Sequence, residues 1–204
     1  MLKWAGIFTL LLLPAVLRAQ SPESSVGGNS SLWAGGEISS FNPDYSCSSN
    51  VPFGCQNQLV GPAAFFDLNV TPKWGAEGEA RWLHWNGPGG EIESNYLGGG
   101  RYRVARYGRF DAWFKILAGA GLITTANYPA AGSLKGSYFA YSPGGTLQFR
   151  LSQRISVRGD YEYQIWPSFA GPPSYNSNGT LTQHANGLTP NGFSLGVSYR
   201  FLGH

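Results

Sequence analysis

Past residue 19 the chain lacks any apolar run approaching the roughly 20 residues that a membrane-spanning helix needs. Any crossing of a bilayer by this sequence therefore falls to strands, whose backbone groups are satisfied by their neighbours. Charge is sparse: Asp, Glu, Lys and Arg make up 12% of the 204 residues, with a formal net charge of +3. Lys3 and Arg18 account for two of those positive charges, and no basic run elsewhere argues for nucleic acid. Cysteine is limited to Cys47 and Cys55 in a Ser/Asn/Pro/Gly-rich stretch. In a secreted chain such a pair predicts a disulfide closing a small loop, and its spacing, with no histidine near in sequence, does not fit a zinc site.

What is present begins with Met1 to Ala19. Lys3 precedes an apolar core through Ile7, Phe8, Leu10, Leu11, Leu12 and Leu13, interrupted by Pro14, and Leu17-Arg18-Ala19 follows. This is the pattern of a secretory signal peptide, residues 1–19, cleaved after Ala19. A polar N-terminal segment, residues 20–30, then leads into one domain, residues 31–204.

The most informative segment runs from Gly192 to Phe201. Phe193, Leu195, Val197, Tyr199 and Phe201 alternate with Ser194, Gly196, Ser198 and Arg200, which is a strand with one apolar and one polar face. Seven more strands are expected at Ser31–Phe41, Gly61–Thr71, Ala76–Trp85, Ser94–Arg106, Phe110–Ile123, Ser137–Leu151 and Arg154–Trp166, with the last at Asn191–Phe201. Tight connections at Pro72 to Gly75, Tyr107 to Arg109 and Ser152-Gln153 alternate with long ones at Asn42 to Val60, Asn86 to Glu93, Thr124 to Gly136 and Pro167 to Pro190. Alternating short and long turns around an even number of antiparallel strands match bacterial outer-membrane barrels, with short turns in the periplasm and long loops outside. The expected fold is an all-β, eight-stranded antiparallel up-and-down transmembrane β-barrel.

The two faces of each strand sharpen this. Ile155, Val157, Tyr161, Tyr163 and Ile165 oppose Arg158, Asp160, Glu162 and Gln164, while Phe110, Ala112, Phe114, Ile116, Ala118, Ala120 and Leu122 oppose Asp111, Trp113 and Lys115. Collected over all strands, the polar faces carry Glu37, Asp67, Glu77, Glu79, Asp111, Asp160 and Glu162 against Arg81, Arg101, Arg103, Lys115, Arg150, Arg158 and Arg200. These balanced signs predict an interior charge network, because an eight-stranded barrel is just wide enough for side chains to fill it and an unpaired charge inside it is costly. A soluble sandwich or lipocalin-like barrel shares the same periodicity with the faces reversed. Trp74, Trp82, Tyr96, Tyr102, Tyr107, Tyr138, Tyr141, Tyr161, Tyr163 and Tyr199 are expected in interfacial girdles. Pro143 interrupts a strand, so a bulge or a shorter strand is expected there.

The segment Ser194-Leu195-Gly196-Val197-Ser198-Tyr199-Arg200-Phe201 resembles the carboxy-terminal assembly signal of outer-membrane barrels, with Ser194, Gly196, Tyr199 and Phe201 in its polar, glycine, aromatic and final hydrophobic places. Leu202-Gly203-His204 continue past the point at which that signal usually stops. The run from Tyr141 through Phe149, Arg150, Leu151 and Ile155 to Tyr163 resembles the penultimate hairpin of the OmpA/OmpX-like β-barrel domain. This resemblance implies a small monomeric barrel integral to the bacterial outer membrane. Its implied partners are outer-membrane lipid and lipopolysaccharide, with the barrel-assembly machinery during insertion and a surface ligand at the extracellular loops.

Members of this fold serve as envelope-stabilising proteins, adhesins, narrow channels and, occasionally, enzymes. An enzyme resembling the lipid A deacylases would need a hydroxyl nucleophile beside a histidine. His84 is the one strand histidine, since His184 lies in a polar loop and His204 at the terminus, and position 86 carries Asn86 where a His-X-Ser pair would place serine. A non-enzymatic barrel with no cofactor and no metal site is therefore expected, with a narrow channel for ions or small solutes as the second reading.

Overall fold

The computed structural model describes residues 30–44, 58–84, 91–128, 132–170, 174–175, 181–182 and 187–203. The expected signal peptide, the Cys47–Cys55 disulfide, His184 and His204 lie outside the described residues.

Among the described residues ten strands occur in chain order: β1 Ser31–Asn42, β2 Leu59–Asn69, β3 Trp74–His84, β4 Glu91–Tyr107, β5 Phe110–Tyr128, β6 Gly132–Arg150, β7 Ile155–Tyr163, β8 Ser174–Tyr175, β9 Leu181–Thr182 and β10 Asn191–Leu202. Eight of them close a barrel in the order β1-β10-β7-β6-β5-β4-β3-β2, every pairing antiparallel. Closure pairs the first strand with the last, with Ile38 opposite Leu195 and Phe41 opposite Gly192, so the sheet keeps no free edge. β8 and β9 form a separate two-stranded ribbon within the last long connection.

The faces follow the two-residue period. In β7, Ser156, Arg158, Asp160 and Glu162 are buried inside while Ile155, Val157, Tyr161 and Tyr163 are exposed outside. β10 places Phe193, Leu195, Val197, Tyr199 and Phe201 outward in the same way. A barrel whose exposed surface is Leu, Ile, Val and aromatic, and whose buried interior is charged, inverts a water-soluble core. The lipocalin-like arrangement, with these faces reversed, is thereby excluded.

Strand ends differ from expectation in physically readable ways. β5 and β6 continue their pairing past the expected turn at Thr124, to Tyr128 opposite Gly132, so this hairpin is the longest in the barrel. β4 begins at Glu91, bringing Glu93 into the wall instead of a loop. β6 runs through Pro143, which pairs with Ile116 of β5. The missing donor of Pro143 falls on the β7 side, between the Gly144–Glu162 pair and the isolated Tyr141–Ile165 bridge, so the ladder skips two places instead of ending. Pro62 produces a comparable gap between β2 and β3, where pairing passes from Val60–His84 to Ala63–Arg81.

A close approach of backbones is built in at glycine. A Cβ on Gly99 would lie 2.0 Å from the Ile116 carbonyl oxygen and one on Gly119 would lie 2.1 Å from that of Tyr96, so β4 and β5 pack at a separation that only glycine permits there.

Candidate functional site

Three levels of side chains fill the barrel from its long-loop end to its short-turn end. The first is apolar. Leu97, Leu117, Ala140, Trp166 and Leu188 form one buried cluster, and Phe41, Leu59 and Leu83 form another. Trp166 reaches this level because the chain beyond β7 doubles back, with its amide donating to Leu188 O at 2.8 Å and Leu188 N returning to Trp166 O at 3.2 Å. The indole Nε1 donates to Gln164 Oε1 at 2.9 Å, which satisfies the ring's polar end in an apolar setting.

Tyr138 also faces inward, its ring 6.1 Å from that of Trp166 and stacked at 29°. This corrects its assignment to an outer girdle: Tyr138 and Tyr141 stand three apart on one strand and so fall on opposite faces, and only Tyr141 is outside. Trp74, Trp82, Tyr96, Tyr107, Tyr161, Tyr163 and Tyr199 are also exposed on the outer wall. There Trp82 Nε1 donates to Tyr96 Oη at 3.0 Å.

The second level is a belt of charge crossing the lumen. Lys115 of β5 places its Nζ 2.7 Å from Glu162 Oε1, 2.9 Å from Glu77 Oε1, 3.1 Å from Asp160 Oδ1 and 3.4 Å from Glu79 Oε2. Arg158 of β7 grips Asp160 through Nε and Nη2, both at 2.5 Å, and reaches over the lumen to Glu77 Oε1 of β3 at 2.7 Å and Asp67 Oδ2 of β2 at 3.3 Å. Arg81 pairs with Glu79 and, at 3.0 Å, with Glu162 Oε1, and its Nε donates to Ser39 Oγ at 3.1 Å. Arg101 pairs with Asp67 and, at 3.3 Å, with Glu77 Oε2. Hydroxyls complete the set, Ser142 donating to Glu162 at 2.8 Å and Thr146 to Asp160 at 2.5 Å.

Each belt arginine also lies over an aromatic face. Arg158 is 3.8 Å from the Phe65 centroid, Arg101 is 4.0 Å from Trp113 and Arg81 is 4.1 Å from Phe41. The guanidinium plane stacks while its edge meets carboxylates, an arrangement lysine cannot reproduce. These inward aromatics share strand parity with the charges, Phe65 with Asp67 and Phe41 with Glu37, which is the signal that could have located them.

The third level, at the short-turn end, is basic. Asp111 receives Arg106 Nε at 2.5 Å and lies 3.4 Å from Arg150 and 3.7 Å from Arg103. Arg200 lies 5.5 Å from the Trp33 ring. Arg103, Arg150 and Arg200 are half-buried, unlike the belt, and Lys73, Arg109 and Arg154 stand exposed in the three short turns.

The two signs are not spread evenly along the interior. Glu37, Asp67, Glu77, Glu79, Asp160 and Glu162 share the belt with only Arg81, Arg101, Lys115 and Arg158, and Glu93, missed as a loop residue, adds a buried carboxylate toward the long-loop end. The compensating cations are gathered at the other end. Glu37 has Arg158 Nε at 3.8 Å. Glu93 Oε1 accepts from Asn95 Nδ2 at 3.1 Å.

Of the expected assembly-signal residues, Ser194 is buried and bonded to Ser39 at 2.7 Å, Gly196 packs against Glu37, and Tyr199 and Phe201 are exposed side by side with ring centroids 5.2 Å apart. His84 faces outward on β3 next to Val60 and Ile92. Among the described residues no cluster of three or more His, Cys, Asp or Glu has the arrangement of a metal site.

Comparison with solved structures finds the same barrel. Neisserial surface protein A superposes with a TM-score of 0.59 at 6% identity, covering 84% of this chain and 97% of that one. Ail, the attachment invasion locus protein of Yersinia pestis, superposes with a TM-score of 0.50 at 18% identity, covering 85% and 99%. No curated protein matches by sequence. The family model for the outer membrane protein beta-barrel domain matches residues 8–201, which is nearly the whole chain. With a closed eight-stranded barrel, an apolar aromatic exterior and a charged interior, this chain belongs to the outer membrane protein beta-barrel domain family and is an integral protein of the bacterial outer membrane.

Proposed function

We propose that the protein is a closed, non-enzymatic barrel that braces the outer membrane and presents its long extracellular loops as a contact surface. The single observation that carries the closed interior is Lys115, whose ammonium meets Glu77, Glu79, Asp160 and Glu162 from two other strands in the middle of the lumen. Ion pairs at this spacing, backed by stacked aromatics, occupy the space a solute would need, and the apolar level around Trp166 lies in series with them. Catalysis finds no support, since His84 sits on the outer wall without a serine at the expected position.

The long connections, above all residues 167–190, are where a binding role is expected, since connecting loops on a rigid scaffold often carry binding. That reading agrees with the names of two proteins sharing the fold, one a surface protein and the other an attachment protein. The chain is expected to act as a monomer, inserted by the barrel-assembly machinery through the strand ending at Phe201, with lipopolysaccharide against its outer wall. The test is paired. Liposomes carrying the refolded barrel should not swell in small sugars, and cells expressing it should bind host or abiotic surfaces in a way lost on trimming residues 171–186. Swelling in sugar would instead establish the narrow-channel reading.

A further inference from the structure

Seven of the twelve Lys and Arg residues beyond the expected signal lie at the short-turn end, and only Lys135 lies toward the long loops. They are scattered in sequence, so no basic run announces them; the antiparallel topology gathers them by returning every second turn to one end. Asp111 is the one carboxylate of the described residues among them, and it is shared by Arg103, Arg106 and Arg150. Lys73, Arg109 and Arg154 remain exposed, one in each short turn, spaced around the rim.

The rim cations adjoin the outer wall's lower aromatic band. Lys73 precedes Trp74, whose ring lies 4.7 Å from that of Tyr102. Arg154 Nη1 donates to the outward Tyr199 hydroxyl at 3.2 Å. Arg109 lies between the exposed Tyr107 and Phe110. Aromatic rings of this kind sit at the level of lipid headgroups, and cations just beyond them lie where phosphates do.

We propose that this rim binds the phosphate headgroups of anionic glycerophospholipids in the periplasmic leaflet. The inference rests on the orientation of the barrel adopted above, short turns in the periplasm. A lipid is favoured over a soluble acidic polymer because the cations flank the apolar wall and its aromatics, so one molecule can engage both with its headgroup and its acyl chains. Long side chains on the three turns reach outward to the phosphates while their stems lie along the wall.

The experiment uses the refolded chain in nanodiscs of equimolar phosphatidylglycerol and phosphatidylcholine, with spin-labelled lipids reporting the boundary shell. Phosphatidylglycerol should be enriched there about fivefold at a rim site, and the enrichment should fall with added salt. In the triple variant Lys73→Gln, Arg109→Gln, Arg154→Gln the preference should fall to near unity, while Lys135→Gln at the opposite end keeps it. A heat-dependent gel shift, read in parallel on every sample, reports barrel insertion independently, so loss of the fold is separated from loss of the lipid site. Equal shells in the wild type and the triple variant would overturn the proposal. So would retention on insoluble peptidoglycan without a lipid preference, which would make the rim a cell-wall contact instead.

Discussion

Arg158 and Glu77 stand on β7 and β3, strands that are not neighbours in the barrel, yet Arg158 Nη2 donates to Glu77 Oε1 at 2.7 Å across the lumen. Backbone pairing holds each strand only to the next one. This contact ties opposite walls, and Glu77 also receives Lys115 and Arg101, which makes it the most shared acid in the belt.

Removing one partner of such a buried set should therefore be severe. Arg158→Met is expected to cost about 3–5 kcal/mol in reversible urea unfolding of the refolded barrel, because Glu77 and Asp160 are left buried without their nearest cation and Asp67 keeps only Arg101. Replacing Arg158 and Glu77 together should cost clearly less than the sum of the two single variants. Additive losses would show that the contact carries no coupling.

Charge alone is not what the belt arginines provide. Arg101→Lys keeps the charge but forfeits the stacking on Trp113 at 4.0 Å and the planar fork toward Asp67 and Glu77. A loss of about 1–2 kcal/mol is expected in the same unfolding measurement. A neutral outcome would mean that the stacking is incidental.

Gly99 and Gly100 are adjacent and chemically identical, yet they should respond differently. Gly99→Ala drives a methyl into the Ile116 carbonyl, whereas nothing lies within 4 Å of a Cβ at Gly100. Refolding yield, read as the heat-dependent gel shift, should drop for Gly99→Ala and hold for Gly100→Ala. Equal yields would contradict the close β4–β5 approach.

The apolar level depends on the indole of Trp166. Trp166→Ala should leave the strands protected while speeding hydrogen exchange at the amides of Trp166 and Leu188, which bond each other's carbonyls. Unchanged exchange at those two amides would show that the segment is held by its backbone bonds alone.

Much of this was legible in the sequence, for a definite reason. A strand has a period of two, so Asp111, Trp113 and Lys115 have to share a face, as do Arg158, Asp160 and Glu162, and the barrel follows from eight such patterns with alternating turn lengths. Residue type misled where it was allowed to override parity: Tyr138 looked like a girdle tyrosine but packs on Trp166 inside. Glu93 was lost because the polar stretch around Gly-Pro-Gly-Gly blurs where β4 starts. Axial level was invisible as well. Whether an inward arginine meets the central belt, like Arg101, or the short-turn rim, like Arg103, depends on strand tilt and stagger, which alternation does not encode.

The closed interior is tested most directly by single-barrel conductance in a planar bilayer. The wild-type protein is expected to show no steady conductance, and the double variant Lys115→Ala, Trp166→Ala, which removes the centre of the belt and the apolar level above it, is expected to show discrete open steps. A steady open conductance in the wild-type barrel would contradict the account and establish an ion path through the lumen.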